Sequence, residues 1–337
     1  MSEIVEIRAR PSQVLAARWK PSVAAAVRPE LAVERHLVIA HKPQRQSLAD
    51  WTKIARHVSD IDPRIAVFVV DGRNSNSYTR RRAATLPTLL CSPGPLTAFR
   101  LLRGKVCSGR RIPKYEQMRL LAAARVPVPR TEILTPQLKL DPEDWGPRVA
   151  VKRAGAASST RGTLQLFRTD RALASLAGDP SRPLLIQKFI DTGPKASMFR
   201  VVTLFGEPLY ALAFRNREPR DDLDVPEEGL VTASVVATPT NTSEIAVVVD
   251  KQILELARAA DTALPDVPLK ACDIVRETGT GRLYVLDLNP EGGAWDQPLA
   301  DHPAGGQTPL LRELVRQFDP ARAAARALVQ RTNAEAI

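Results

Sequence analysis

Leu283-Tyr284-Val285-Leu286-Asp287-Leu288-Asn289-Pro290-Glu291-Gly292-Gly293 is the stretch that decides how this chain is read. It opens as an apolar run rich in β-formers, which predicts a strand. Asp287 and Asn289 are two apart, so their side chains leave the same face. A carboxylate and an amide oxygen on one face suit a hard divalent cation. Pro290 ends the strand because it cannot donate to a ladder. Gly292 and Gly293 allow backbone N–H groups close to a ligand. Upstream, Leu269-Lys270-Ala271-Cys272-Asp273-Ile274-Val275 is a second apolar stretch. The turn-like Glu277-Thr278-Gly279-Thr280-Gly281 joins the two into a hairpin, which brings a third oxygen donor, Asp273. The alternative is a solvated strand end with three ordinary polar residues.

A chain of 337 residues buries a large core and divides into two or three domains. Apolar content of 44% and charged content of 25% are those of a soluble globular protein. No apolar run reaches membrane-spanning length, and Met1 to Arg10 lack a signal-peptide core. Cys91, Cys107 and Cys272 are scattered, which points to a reduced, cytoplasmic setting. The four histidines are dispersed without HExxH, so a zinc site is disfavoured. Tyr78 to Arg130 holds twelve Arg and Lys against Glu116 alone and so carries the whole net charge of +11. Such a concentration attracts anions. It reads as a solvated basic face, or as a wall for nucleotide phosphates or an acidic substrate. Nucleic acid is disfavoured, since stacking aromatics and binding motifs are lacking.

Residues 1–34 are expected to form an irregular extension or short helices. His36–Ala40 predicts a strand, Ser47 caps a helix through Trp51, Ile54 and Val58, and Arg64–Val70 is a second strand. This is a βαβ unit with a parallel sheet, and Pro87–Cys91 offers a third strand. GxGxxG is absent after the first strand, which disfavours a dinucleotide site. Pro113 begins a helix with Lys114 in its first turn, ending before Val126-Pro127-Val128-Pro129. Lys114 could equally be a surface lysine. Arg148–Lys152 is a strand, followed by a small-residue loop from Arg153 to Gly162 whose amides could line a phosphate chain or form a mobile turn. Pro183–Asp191 is a strand whose edge could offer N–H and C=O to an adenine ring, walled by Phe189 and by Ile186 or Ile190. Met198–Leu204 and Leu209–Ala213 are strands around a Phe-Gly-Glu-Pro turn, with Arg215 after them. Asp221–Gly229 is an acidic loop. Ser243–Ala263 is expected as a helix, and Ala321–Ile337 as a terminal helix without a site.

The order of these signals, a lysine at a helix start before "VPVP", then "VAVK", "LLIQKFID", "FRVVTLFGEPLYALAFR", "CDIV" and "YVLDLNPEGG", resembles the ATP-grasp superfamily. The resemblance covers about residues 36–320. It implies an α/β plus α+β chain, in which an N-terminal βαβ (pre-ATP-grasp) domain precedes two lobes that clamp ATP. The expected division is an extension at 1–34, the pre-ATP-grasp domain at 35–110, and the ATP-grasp domain at 111–320. The latter splits into lobes 111–185 and 186–320, and a helical tail spans 321–337.

By that resemblance, Lys114 and Lys152 match the lysines that reach the phosphates, with Ser158 and Ser159 in the phosphate loop. Gln187, Lys188, Phe189 and Ile190 match the adenine-holding segment. Arg200 and Arg215 match basic residues near the γ-phosphate and acyl substrate, acting with Lys152. Asp273, Asp287 and Asn289 match ligands of Mg2+ (or Mn2+), and Gly292-Gly293 a loop that closes on an acyl phosphate. Family members often carry a carboxylate at the position of Met198, for which Asp191 could substitute. Asp287 replaces the usual Glu, and the loop after Lys152 has fewer glycines than usual.

The implied activity is ATP-dependent ligation of a small-molecule or peptide carboxylate to an amine through an acyl phosphate. Alternatives are an ATP-grasp kinase acting on a small anionic substrate and a non-catalytic nucleotide-binding protein. A homodimer is a common family expectation.

Overall fold

The computed structural model describes residues 5–7, 32–43, 46–74, 77–135, 137–154, 164–173, 183–220, 236–237, 242, 244–292 and 308–337. Ser158, Ser159, the acidic stretch 221–229 and Gly293 lie outside the described residues.

The N-terminal sheet runs in the order β1 (Val5–Ile7), β3 (Ile65–Asp71), β2 (Arg35–His41), β4 (Thr88–Ser92), β5 (Lys105–Ser108). Strands β2 to β5 are parallel, as the βαβ spacing predicts. β1 is antiparallel to β3, so part of the expected irregular extension is an edge strand. Helix α1 (Leu48–Ile61) starts where Ser47 Oγ accepts from Asp50 N. Its Trp51, Ile54, Ala55 and Val58 are fully buried, one face at helical spacing. The short helix α2 spans Ser77–Ala83.

Two further sheets follow helix α3 (Lys114–Ala123). The smaller has the order β6 (Thr131–Ile133), β9 (Leu184–Lys188), β7 (Arg148–Arg153), β8 (Gln165–Arg168). Helix α4 (Pro142–Trp145) closes one face, where Trp145, Val149, Val151, Phe167 and Ile186 form a core. Alternation along β7 and β9 then sends Ala150, Lys152 and Gln187 to the other face.

The larger sheet is antiparallel throughout: β12 (Glu244–Val247), β11 (Glu207–Arg215), β10 (Ser197–Leu204), β13 (Leu269–Arg276), β14 (Leu283–Asn289). The β10–β11 turn has φ of 50° at Phe205 and 82° at Gly206, the doubly left-handed geometry that matches hairpin twist. The helix expected over 243–263 is instead β12 followed by α5 (Lys251–Asp261). The run Ile245-Ala246-Val247 pairs with β11, and the Asp250 side chain accepts from Gln252 N and Ile253 N to start the helix afresh.

Helices α3 and α5 cover one face of the large sheet. The other face meets α6 (Pro309–Phe318) and α7 (Pro320–Glu335). Residues 321–337, set apart in the sequence as a tail, belong to this core. Ala323, Ala324, Ala325 and Ala327 are buried, and α7 lies against both α1 and β11. Alanine ends at Cβ, so a helix rich in it can be enclosed from opposite sides. Among the described residues no helix is long and apolar enough to cross a membrane.

Candidate nucleotide and cation site

The site begins with strand register. β10, β13 and β14 are neighbours, with Arg200 opposite Asp273 and Asp273 opposite Asp287. Directly opposed residues share a face, so three charged side chains form a row across three strands. β14 carries one residue more than β13 at this point, because Asp273 pairs with Asp287 while Ile274 pairs with Val285. Leu286 is the extra residue, and such a bulge re-aims side chains. Leu286 and Asp287 both line the cleft between the two antiparallel sheets.

Each carboxylate in the row has a cationic partner. Arg200 donates to both oxygens of Asp273, at 2.7 and 2.9 Å. Asn289 Nδ2 donates to Asp273 Oδ2 at 3.3 Å. Lys114, the first residue of α3, makes an ion pair with Asp287 Oδ1. Burial pushes the Asp287 carboxyl above its ordinary range, Lys114 opposes this, and Asp273 adds to it. Among the described residues no group of three His, Cys, Asp or Glu gathers. A cation site here therefore rests on two carboxylates and one amide oxygen. That all-oxygen set, with like charges side by side, fits Mg2+ or Mn2+.

Lys152 faces the row from β7. Its Nζ donates to Gln187 Oε1 at 2.9 Å. Burial pushes its ammonium below the ordinary range, Asp287 and Asp273 oppose this, and Lys114 reinforces it. The adjoining cleft is lined by Ala150, Lys152, Phe189, Ile190, Val275 and Leu286. Its free volume, about 40 Å³, has room for water.

The other expected residues are placed as follows. Phe189 and Ile190 line the cleft, whereas Ile186 is fully buried in the Trp145 core on the opposite face. The N–H groups of Lys188 and Phe189 donate to Arg130 O and Arg148 O, so neither is offered to adenine. Lys188 lines the cleft in part, while its Nζ donates to Asp144 O at 3.2 Å. Gln187 lines the cleft but is only 2% exposed, and both ends of its amide are engaged, by Lys152 and Thr131. Asp191 Oδ1 accepts from Gly193 N and Arg220 Nη2, both at 2.7 Å. Met198 is buried in the core beside Ile190. Arg215 is exposed at the end of β11, opposite Ser197 and Glu244, and does not join the Arg200–Asp273–Asp287 row.

Contacts from the N-terminal domain went unseen in the sequence. Gln46 Nε2 donates to Gly292 O at 3.2 Å, and Arg110 N to Pro290 O at 2.9 Å. Gly292 has φ of 73°, and a Cβ there would stand 2.3 Å from Pro93 O. The turn after Asn289 is thus clamped on the carboxyl ends of the parallel strands. The Pro- and Gly-rich composition of 93–109 was the available signal.

No protein-family model matches the chain, and no curated protein matches it. In architecture it resembles solved ATP-grasp ligases. D-cycloserine synthetase DcsG is 15% identical with a TM-score of 0.49, the match covering 88% of this chain and 99% of that one. ATP-grasp ligase PsnB, complexed with a phosphomimetic variant of its minimal precursor, Mg and ADP, is 13% identical with a TM-score of 0.48, covering 90% and 100%. D-alanine–D-alanine ligase from Bacillus anthracis is 13% identical with a TM-score of 0.44, covering 89% and 97%. Likenesses this distant assign neither a family nor a reaction.

Proposed function

We propose that the chain is an ATP-dependent carboxylate–amine ligase. The observation that carries this is the alternating row Arg200–Asp273–Asp287–Lys114, faced by Lys152 across a cleft between two sheets. Such a row neutralises itself when empty. Phosphate oxygens entering the cleft would compete for the basic groups and release carboxylate lone pairs. A divalent cation held by Asp273, Asp287 and Asn289 would supply charge neutralisation on the phosphate oxygens.

In the proposed reaction a substrate carboxylate oxygen attacks the γ-phosphorus of ATP. The bond to the bridging oxygen breaks, ADP leaves, and an acyl phosphate forms. An amine nitrogen then attacks the acyl carbon, inorganic phosphate departs, and the nitrogen loses a proton. Lys114, Lys152 and Arg200 stabilise the charge that accumulates on phosphoryl oxygens, and no protein nucleophile is needed.

The test is a screen of acid and amine pairs, amino acids and short peptides included. ADP and free phosphate are measured, and products are weighed by mass spectrometry. Ligation gives one ADP and one phosphate per product whose mass is acid plus amine less water. A phosphorylated product without free phosphate would identify a kinase. Nucleotide binding without turnover of any pair would make the chain a non-catalytic binder.

A further inference from the structure

A polar chain with a single sense of donation runs from the cleft into the smaller sheet. Lys152 Nζ donates to Gln187 Oε1 at 2.9 Å, and Gln187 Nε2 donates to Thr131 Oγ1 at 3.0 Å. Thr131 Oγ1 in turn donates to Pro129 O at 2.8 Å. Strand register builds it: Thr131 and Ala150 stand opposite Gln187 on the two flanking strands, and Lys152 is its diagonal neighbour.

Every orientation in the chain is forced. An ammonium has donors only, so Gln187 must turn its carbonyl to Lys152. Its NH2 then faces Thr131, with Met118 Sδ at 3.7 Å as a weak second acceptor. The Pro129 carbonyl only accepts, so the Thr131 hydroxyl donates to it and keeps lone pairs for Gln187. The charged groups facing Lys152 are Asp287 on β14, Asp273 on β13 and Lys114 on α3. The two carboxylates attract its ammonium. Without Gln187, Lys152 would be free to turn toward Asp287.

We propose that Gln187 is a positioning residue, which holds the Lys152 ammonium on the phosphate path and apart from Asp287 instead of contacting the purine. This rests on the ATP-binding reading above. The Thr131–Pro129 link sets the sense of the Gln187 amide and so belongs to the same device.

The test is calorimetric titration of AMPPNP with Mg2+, alongside adenosine followed by NMR, on wild type, Gln187→Leu, Lys152→Met and the double variant. Loss of a charge-assisted hydrogen bond predicts roughly a ten- to hundredfold loss of AMPPNP affinity in Q187L. Adenosine affinity should be unchanged, and Q187L should add nothing in the K152M background. Thr131→Val removes the link from outside the cleft and should give a smaller AMPPNP loss that also vanishes with K152M, while Thr131→Ser should retain affinity. Equal losses for AMPPNP and adenosine, or losses that add to that of K152M, would overturn the inference and leave ATP binding standing. Wild type that binds neither ligand would overturn both.

Discussion

Lys270 is a fully buried strand lysine and Lys152 a half-buried one, and burial pushes both ammonium groups below their ordinary range. They differ in saturation. Lys270, 1% exposed, donates to Asp261 Oδ1 at 2.8 Å, Leu264 O at 2.8 Å and Val267 O at 2.7 Å. Three donors meet three acceptors, and Asp261 is further held by Thr203 Oγ1 at 3.2 Å. Lys152 meets Gln187 alone among the described residues. A buried cation whose donors are all matched is scaffold. One with unmatched donors beside a cleft has capacity left for a ligand.

The largest expected effect lies on the cleft side of this comparison. Asp287→Ala should lower ADP release by at least about 10²–10³-fold, with circular dichroism and the melting profile preserved. Turnover near wild type would remove Asp287 from the site.

On the scaffold side, Lys270→Met strands a buried carboxylate and should cost about 3–5 kcal/mol in urea unfolding. Adding Asp261→Leu should recover most of that loss. An AMPPNP affinity that falls in the folded Lys270→Met protein would erase the distinction between the two lysines.

Lys152→Met should show the reverse pattern, with nucleotide affinity lost and stability kept or raised by up to about 1 kcal/mol. The sign follows from linkage. Its folded-state pKa is depressed, so the unfolded chain binds the proton more readily and the lysine costs stability at neutral pH. That cost shrinks as pH rises toward the ordinary 10.5. Unfolding of wild type and Lys152→Met should therefore converge in alkaline buffer. Divergence there would mean that Lys152 is as well compensated as Lys270.

The smallest effect concerns Asp62, the buried C-cap of α1, which pairs with the more exposed Arg64 and accepts from Asn333 of α7. Asp62 accepts from Arg64 and from Asn333 Nδ2, and Arg64 chiefly holds its carboxyl down to about 2 from 3.8. A depressed carboxylate contributes stability above 3.8 that is lost as pH falls through about 2. With Arg64 42% exposed, Asp62→Asn should cost about 1 kcal/mol at neutral pH and almost nothing at the acid end. A constant cost across an acid titration would contradict this.

Much of the frame was legible along the chain. Alternation and turn residues marked both hairpins, and the Glu277–Gly281 turn put Asp273 and Asp287 in one hairpin, but regular register from that turn would set Asp273 against Leu286, and the bulge brings Asp287 opposite instead. Helical spacing in 51–58 marked the face of α1. The segment 244–247 was misread because Ile245, Ala246 and Val247 fit a helix as well as a strand, and pairing with β11 settled it. Nothing in the local sequence signals that Thr131 accepts from Gln187, because the two are joined only by strand pairing.

Taken alone, the sequence determined the types of element, the hairpin that carries both carboxylates, and the placement of Lys114 at a helix start. These depend on periodicity and turn chemistry within a few residues. Tertiary structure decided that Lys114 meets Asp287, that Leu286 is the extra residue, that α7 lies within the core, and that Lys152 donates to Gln187. Each of those is a contact between segments far apart in the chain, and packing between layers, which local spacing does not encode, selects the partner.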